Sequence, residues 1–394
     1  MSGFRHGLLI GKFYPPHRGH HAAIRTAAEH CALLTVVAMA SLAETIALTD
    51  RVAWLRAEHR DAPSVRVVGV PCDAPLDLGD ARVWTAQVAI MRAAVRSVPA
   101  EPVDAVFSAD DYGLELARHF AATFVRLERA DPCGTLRSAT AVRQDLAATW
   151  DDLAPATQAG MTTRVILLGA ESTGTTTVSQ ELAEHYRARG GIWSRTGWVG
   201  EYGREYTDLK WAAEKDAAHR LGRPLPELDT MVWDHHDFDR VGKEQTAAEE
   251  RTARTGSPVL ICDTDAFATT IWERRYLGEN ARPAPDWARA PQLPRRHLYL
   301  LTDHDGVPWV DDGLREGDLA VRAAMTGWFA DALTAAGHSW VLLSGSLEER
   351  VRLAVRTVDQ VLAQRMRFGV PLSGPGFGNL ASAPPAVPES LKLR

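Results

Sequence analysis

Apolar positions in this chain come in short unbroken runs, and the stretches between them carry helical period. The runs lie at 7–10, 33–40, 65–70, 105–108 and 124–127, with helical stretches at 20–31, 51–59 and 84–98 between them. A short run without polar alternation is the pattern of a strand covered on both faces, and strands alternating with helices predict βαβ units around a parallel sheet. The pattern breaks at 151–163, where Ala, Pro, Gln, Gly and Thr replace the periodic residues, with Met161 inside the break as if a second unit had been joined on. It resumes with runs at 164–168, 259–262, 297–301 and 340–343. At 394 residues the chain is longer than one core usually organises, so two domains are expected, 1–155 and 163–365. From Arg367 onward Gly, Pro, Ser and Ala dominate without period, and 366–394 is expected to be a disordered tail. No internal repeat of fixed period is visible.

Charge and cysteine content narrow the function classes. A formal net charge of -6 gives no general attraction to nucleic acid, so basic groups are expected to act locally on small anions. Cys31, Cys72, Cys133 and Cys262 are far apart and form no CxxC pair, which argues against a disulfide framework or a zinc site and fits a reducing cytoplasm. The N-terminus runs directly into an apolar strand, so neither an export signal nor a membrane span is expected.

The first run leads into Gly11-Lys12-Phe13-Tyr14-Pro15-Pro16-His17-Arg18-Gly19-His20 and then a helix. Glycine lets backbone approach phosphate, a helix start offers unpaired N–H groups, and two imidazoles and a lysine converge on the same anion. Near the end of this half, Ser138-Ala139-Thr140-Ala141-Val142-Arg143 offers hydroxyls at a helix start with a guanidinium one turn in, suited to phosphate oxygens.

Together these segments resemble the (H/T)xGH and SxTxxR signatures of the nucleotidyltransferase superfamily, and GKFYPPHRGH is similar to the adenylyltransferase domain of the bifunctional NadR-type family. The resemblance implies transfer of an adenylyl group from ATP to nicotinamide mononucleotide. His17 and His20 would hold phosphates and stabilise charge with Lys12, Arg143 and Mg²⁺, while Gly11, Phe13, Gly19, Ser138 and Thr140 line the nucleotide. Phe107-Ser108-Ala109-Asp110-Asp111-Tyr112-Gly113 resembles the family's loop over the nucleotide. The family's Asp-Pro-Asp-Arg run is replaced here by Arg129-Ala130-Asp131-Pro132-Cys133-Gly134, which leaves one anion contact unplaced.

In the second half, 164–168 runs into Gly169-Ala170-Glu171-Ser172-Thr173-Gly174-Thr175-Thr176-Thr177, a GxxxxGK[ST] frame with Thr175 at the lysine position. Gly169 to Gly174 still shape an anion nest and Thr176 keeps the hydroxyl expected to reach Mg²⁺, but Thr175 supplies no cation. Asp263, at the end of the 259–262 run, is placed to order that metal ion. Arg315 in Pro308-Trp309-Val310-Asp311-Asp312-Gly313-Leu314-Arg315 could reach a transferring phosphate, and Trp309 offers a face for a cationic pyridinium. These segments, with Glu201-Tyr202-Gly203-Arg204-Glu205 and Asp265, resemble the ribosylnicotinamide kinase domain of the same family, whose lid likewise reads WVDDGLR.

The resemblance covers most of 5–360 and does not extend to the N-terminal helix-turn-helix of some members, so transcriptional repression is not implied. The expected fold class is α/β, a Rossmann-like HxGH nucleotidyltransferase domain followed by a P-loop kinase-like domain. The implied partners are ATP, nicotinamide mononucleotide and nicotinamide riboside, and a homo-oligomer is left open. The lost lysine removes a charge of a kind worth about 2.7–4 kcal/mol in comparable donors, unless Arg204, Arg274, Arg275 or Arg315 compensates. A weakly active regulatory second domain, or a nucleotide sensor without turnover, are the alternative readings. Asp234-His235-His236-Asp237 is read as a surface cluster rather than a metal site, and 243–254 as a solvated helix face.

Overall fold

The computed structural model describes residues 3–73, 81–128, 138–225, 227, 231–282, 297–308 and 319–369. The chain divides into two compact units, one formed by Met1–Gly160 together with the chain from Arg365, the other by Met161–Gln364.

The first unit is a five-stranded parallel sheet in the order β3-β2-β1-β4-β5, built from β1 (Phe4–Gly11), β2 (Cys31–Ala40), β3 (Val65–Pro71), β4 (Ala105–Ser108) and β5 (Thr123–Arg126). The helices are α1 (Arg18–Glu29), α2 (Leu48–Glu58), α3 (Ala81–Arg96), α4 (Tyr112–Phe120) and the short α5 (Ala139–Gln144). The unbroken apolar runs have the expected cause. Leu9, Val36 and Phe107 enter one core while their neighbours Leu8, Val37 and Val106 enter another on the opposite face of the sheet. Each such fully covered side chain contributes about 1.5–3 kcal/mol. Cys31, expected to end a helix, instead opens β2, with its thiol bonded to the Ala27 carbonyl.

The break expected at 151–163 is not irregular. It folds into α6 (Pro155–Met161), with Leu153, Ala156, Ala159 and Met161 buried and Gln158 donating to the Trp150 carbonyl. Small residues allow this close packing: a Cβ on Gly160 would come within 1.9 Å of the Trp54 indole nitrogen.

The second unit has the order β10-β9-β6-β8-β7, again all parallel, from β6 (Thr163–Gly169), β7 (Gly197–Val199), β8 (Val259–Asp263), β9 (His297–Thr302) and β10 (Trp340–Leu343). Its helices are α7 (Thr175–Arg187), α8 (Tyr202–Leu221), α9 (His235–Ala253), α10 (Ala268–Leu277), α11 (Leu319–Ala335) and α12 (Leu347–Arg365). Central β6 and β8 are buried along their whole length.

Two expectations change. The charged run 243–254 does bury a face, because Gln245, Glu249 and Ala253 recur at i, i+4 and i+8 on α9. The tail expected from 366 lies outside the described residues from 370, whereas Arg367 to Gly369 lie against the first unit. There the Phe368 ring meets Tyr14 edge-on at 5.5 Å, and Thr45 Oγ1 donates to the Arg367 carbonyl at 3.4 Å.

Candidate functional site

In each unit the strand order reverses beside the first strand, between β1 and β4 and between β6 and β9. A parallel sheet opens a crevice at such a point, beyond the carboxyl ends of its strands. The two loops singled out in the sequence leave β1 and β6 at these crevices.

In the first unit His17 is the N-cap of α1. Its Nδ1 accepts the Gly19 N–H at 3.1 Å, and Nδ1 of His20 accepts the His17 N–H at 3.4 Å, a capping box made by two imidazoles. Because a backbone N–H can only donate, both Nδ1 atoms are acceptors, and the neutral rings must carry their proton on Nε2. Burial, then the Arg143 charge, lowers His17 to about 4. Burial followed by His17, His21 and Arg143 holds His20 well below its usual range. Two neutral Nε2–H donors, their rings 3.8 Å apart, therefore stand at one helix N-terminus. Gly19 leaves room for this, since a Cβ there would make a tight contact of 3.0 Å with the His17 ring. Phe13, in the left-handed region at φ 47°, packs its ring 5.0 Å from His20 and against Gly11.

The other basic groups are more committed than the sequence indicated. Lys12, expected to present its charge to an anion, is paired to Glu44 at 2.9 Å; the other Glu44 oxygen takes Arg51 at 2.5 Å. Arg51 is fully buried and also donates to the Lys12 and Ile46 carbonyls, tying the loop to the start of α2. Arg143 donates to the Tyr14 carbonyl at 2.8 Å and to Thr140 Oγ1 at 3.1 Å, while Ser138 Oγ caps α5 by accepting the Ala141 N–H. Thus both hydroxyls expected to cap phosphate are engaged within their own segment. Tyr112 donates from its hydroxyl to the Ile10 carbonyl, and Asp111 pairs with Arg126. The segment 129–134 lies outside the described residues.

In the second unit the loop from Gly169 runs into α7, whose N-cap is Gly174 at φ 87°. Gly169 is required by contact: a Cβ would meet Thr302 Oγ1 at 2.1 Å and Thr173 Oγ1 at 2.4 Å. Thr176 donates to Asp263 Oδ2 at 2.6 Å, which joins the P-loop hydroxyl to the strand-end carboxylate. Burial is the main reason that Asp263 is raised to about 6. Ser172 at φ 54° and Thr264 at φ 85° are held in a conformation disfavoured for side-chain-bearing residues, a form of strain that clusters at functional loops.

A pocket adjoins this loop. Gly169, Glu171, Ser172, Thr175, Glu201, Arg204, Asp263 and Asp265 line it, and Arg204 pairs with Glu201 at 2.9 Å. Both oxygens of Asp265 are already bonded, to the Ala268 N–H and the Tyr299 hydroxyl. Tyr202 and Thr177 are not among the lining residues. Trp309, Asp311, Asp312 and Arg315 lie outside the described residues, and Arg274 is stacked on Trp328 at 4.2 Å.

The sequence reading missed the pocket's aromatic wall of Trp233, Phe238, Trp272 and Tyr276, with Trp233 and Tyr276 centroids 5.3 Å apart. A signal existed in Trp272 and Tyr276, which share a helix face at i, i+4. The cluster 234–237, expected on the surface, caps α9 through Asp234 and buries Asp237 against Tyr206 and Lys210. Among the described residues there is no group of three or more His, Cys, Asp or Glu arranged to hold a metal, and no helix is long and apolar enough to cross a membrane.

A family model described as an AAA domain matches residues 164–350. The trifunctional NAD biosynthesis/regulator protein NadR of Salmonella typhimurium is 22% identical over 330 residues, 78% of this chain and 71% of its own length. The Escherichia coli protein of the same name is 21% identical over 325 residues, with the same coverage. A crystal structure of NadR in complex with NR aligns over 92% of this chain and 97% of its own at a TM-score of 0.55 and 18% identity. A second NadR structure, with NAD and AMP-PNP, aligns with the same coverage at 0.52. With two switch-point loops in the expected order, the chain is similar to NadR proteins across most of its length.

Proposed function

We propose that this chain is an enzyme of NAD biosynthesis: the first unit joins the AMP moiety of ATP to nicotinamide mononucleotide, and the second phosphorylates nicotinamide riboside with ATP. The observation that carries the first reaction is the histidine capping box. Two neutral Nε2–H donors at a helix N-terminus suit a polyphosphate, and they stay neutral because burial and Arg143 oppose their protonation. The phosphate of the mononucleotide attacks the α-phosphorus, and the bond to pyrophosphate breaks. His17 and His20 donate to the oxygens where charge accumulates, while Arg143 fixes the loop through Tyr14.

Support for the second reaction comes from a pocket lined by the P-loop, by an aromatic wall and by Glu201 and Asp265. Aromatic faces and carboxylates suit a flat cationic ring on a ribose. Thr176 and Asp263 offer hard oxygen ligands and would hold Mg²⁺, an ion that commonly takes one or two carboxylates and completes its shell with phosphates and water. When bound it would neutralise charge on the phosphates.

Thr175 on the pocket wall favours a second reading, in which this unit binds nucleotide but turns it over weakly. NAD formation by the purified chain with ATP and Mg²⁺, given the riboside or the mononucleotide in parallel, separates the two. Product from both supports two reactions, and product from the mononucleotide alone leaves the second unit without its kinase step. No product from either refutes the proposal.

A further inference from the structure

A P-loop binds anions because its N–H groups turn inward, which turns its carbonyls outward. Outward carbonyls that are buried need donors. In the second unit three consecutive ones receive them from two arginines. Arg322 of α11 donates from Nε to the Glu171 carbonyl at 3.0 Å and from Nη2 to the Ser172 carbonyl at 2.8 Å. Arg350 of α12 donates from Nη1 to the Thr173 carbonyl at 2.9 Å. Their remaining hydrogen bonds include carbonyls that fix the guanidinium planes: Val307 for Arg322, and Gly345 and Asp305 for Arg350.

Each of these carbonyls shares a peptide unit with the next residue's N–H. A cation on the oxygen draws electron density through that unit, and the N–H groups of Ser172, Thr173 and Gly174 become stronger donors. The two side chains are 4% and 2% exposed, so solvent and salt screen their charge little at the loop. At the position where this frame normally carries lysine stands Thr175, a lining residue with no charge.

We infer that Arg322 and Arg350 are positioning residues that supply, through the peptide units of the loop, the positive field that a lysine at position 175 would otherwise supply. They act from behind the loop, and the nucleotide phosphates meet only the polarised N–H groups. The inference rests on the proposed use of ATP by the second unit.

The test uses the full chain and ADP as the probe, with Arg350→Met and Arg322→Met each made alone and together with Thr175→Lys. Each Met variant should weaken ADP binding by about tenfold, the loss of one hydrogen-bonded charge, with little change in the KM for riboside. A bracing role alone would not be mended by a distant charge, whereas a field role would be. Thr175→Lys should therefore raise ADP affinity more in the Met variants than in the unaltered chain.

Unchanged ADP affinity in both Met variants, or an equal gain from Thr175→Lys in every background, overturns the inference. If a Met variant loses its cooperative melt, Arg350→Lys and Arg322→Gln take over. The first keeps its charge and should keep ADP affinity within about threefold, while the second loses its charge and should not. ADP binding that follows this pattern without riboside phosphorylation refutes the kinase proposal alone; absence of ADP binding refutes both.

Discussion

Acid should destabilise the first unit through its buried histidines, of which His17, His21 and His59 set the least size of the effect. Burial is the largest cause lowering each of them from 6.5, His17 and His59 to about 4 and His21 to about 3. On unfolding the rings return to their ordinary value and take up protons as pH falls from 6.5, while the folded rings stay neutral until about 4. The unfolded chain therefore binds more protons across this window, so the contribution of these rings is fully present above pH 6.5 and is lost toward pH 4. At about pH 5 each ring costs about 2 kcal/mol. His21 and His59 share a hydrogen bond of 3.0 Å and titrate as a pair, so the three together cost about 4–6 kcal/mol, a large part of a domain's stability of about 5–15 kcal/mol. Urea unfolding at about pH 7, 6 and 5, read by hydrogen exchange in β1 and β2, should show the stability falling by that amount, and His59→Gln should remove about a third of the fall. C2-proton resonances of His17, His21 and His59 titrating near 6.5 in the folded chain, or a pH-independent unfolding midpoint, would refute this account.

His20→Ala removes one Nε2–H donor and half of the capping box, and should lower NAD formation from the mononucleotide by about 10²-fold or more, with a stability loss of about 1 kcal/mol measured by thermal melting. Glu44→Gln leaves Lys12 and buried Arg51 without their shared carboxylate and should destabilise the first unit by about 3 kcal/mol, read by urea unfolding. Tyr276→Ala opens the aromatic wall and should raise the KM for riboside by about tenfold while NAD formation from the mononucleotide is kept, a split that steady-state kinetics resolves. Asp263→Asn should stop riboside phosphorylation and leave NAD formation from the mononucleotide in place; equal loss of both would place its role elsewhere.

Local order along the chain determined much of this protein. Unbroken apolar runs dictated the parallel strands, because strands covered on both faces leave no polar alternation, and each candidate loop was legible because its glycines, hydroxyls and histidines follow a strand directly. What those side chains do was decided by residues distant in sequence. Lys12 meets Glu44 and Tyr14 meets Arg143 because the sheet order brings their segments to one crevice. The proton positions on His17 and His20 follow from backbone bonds that only the folded helix start makes. The aromatic wall joins Trp233 and Phe238 to the α10 pair Trp272 and Tyr276, and the carbonyls behind the second loop meet Arg322 and Arg350 from helices more than a hundred residues later. Sequence spacing sets which groups leave the end of one strand, whereas hydrogen-bond partners, burial and therefore charge state depend on which other elements pack there, and tertiary structure alone supplies that.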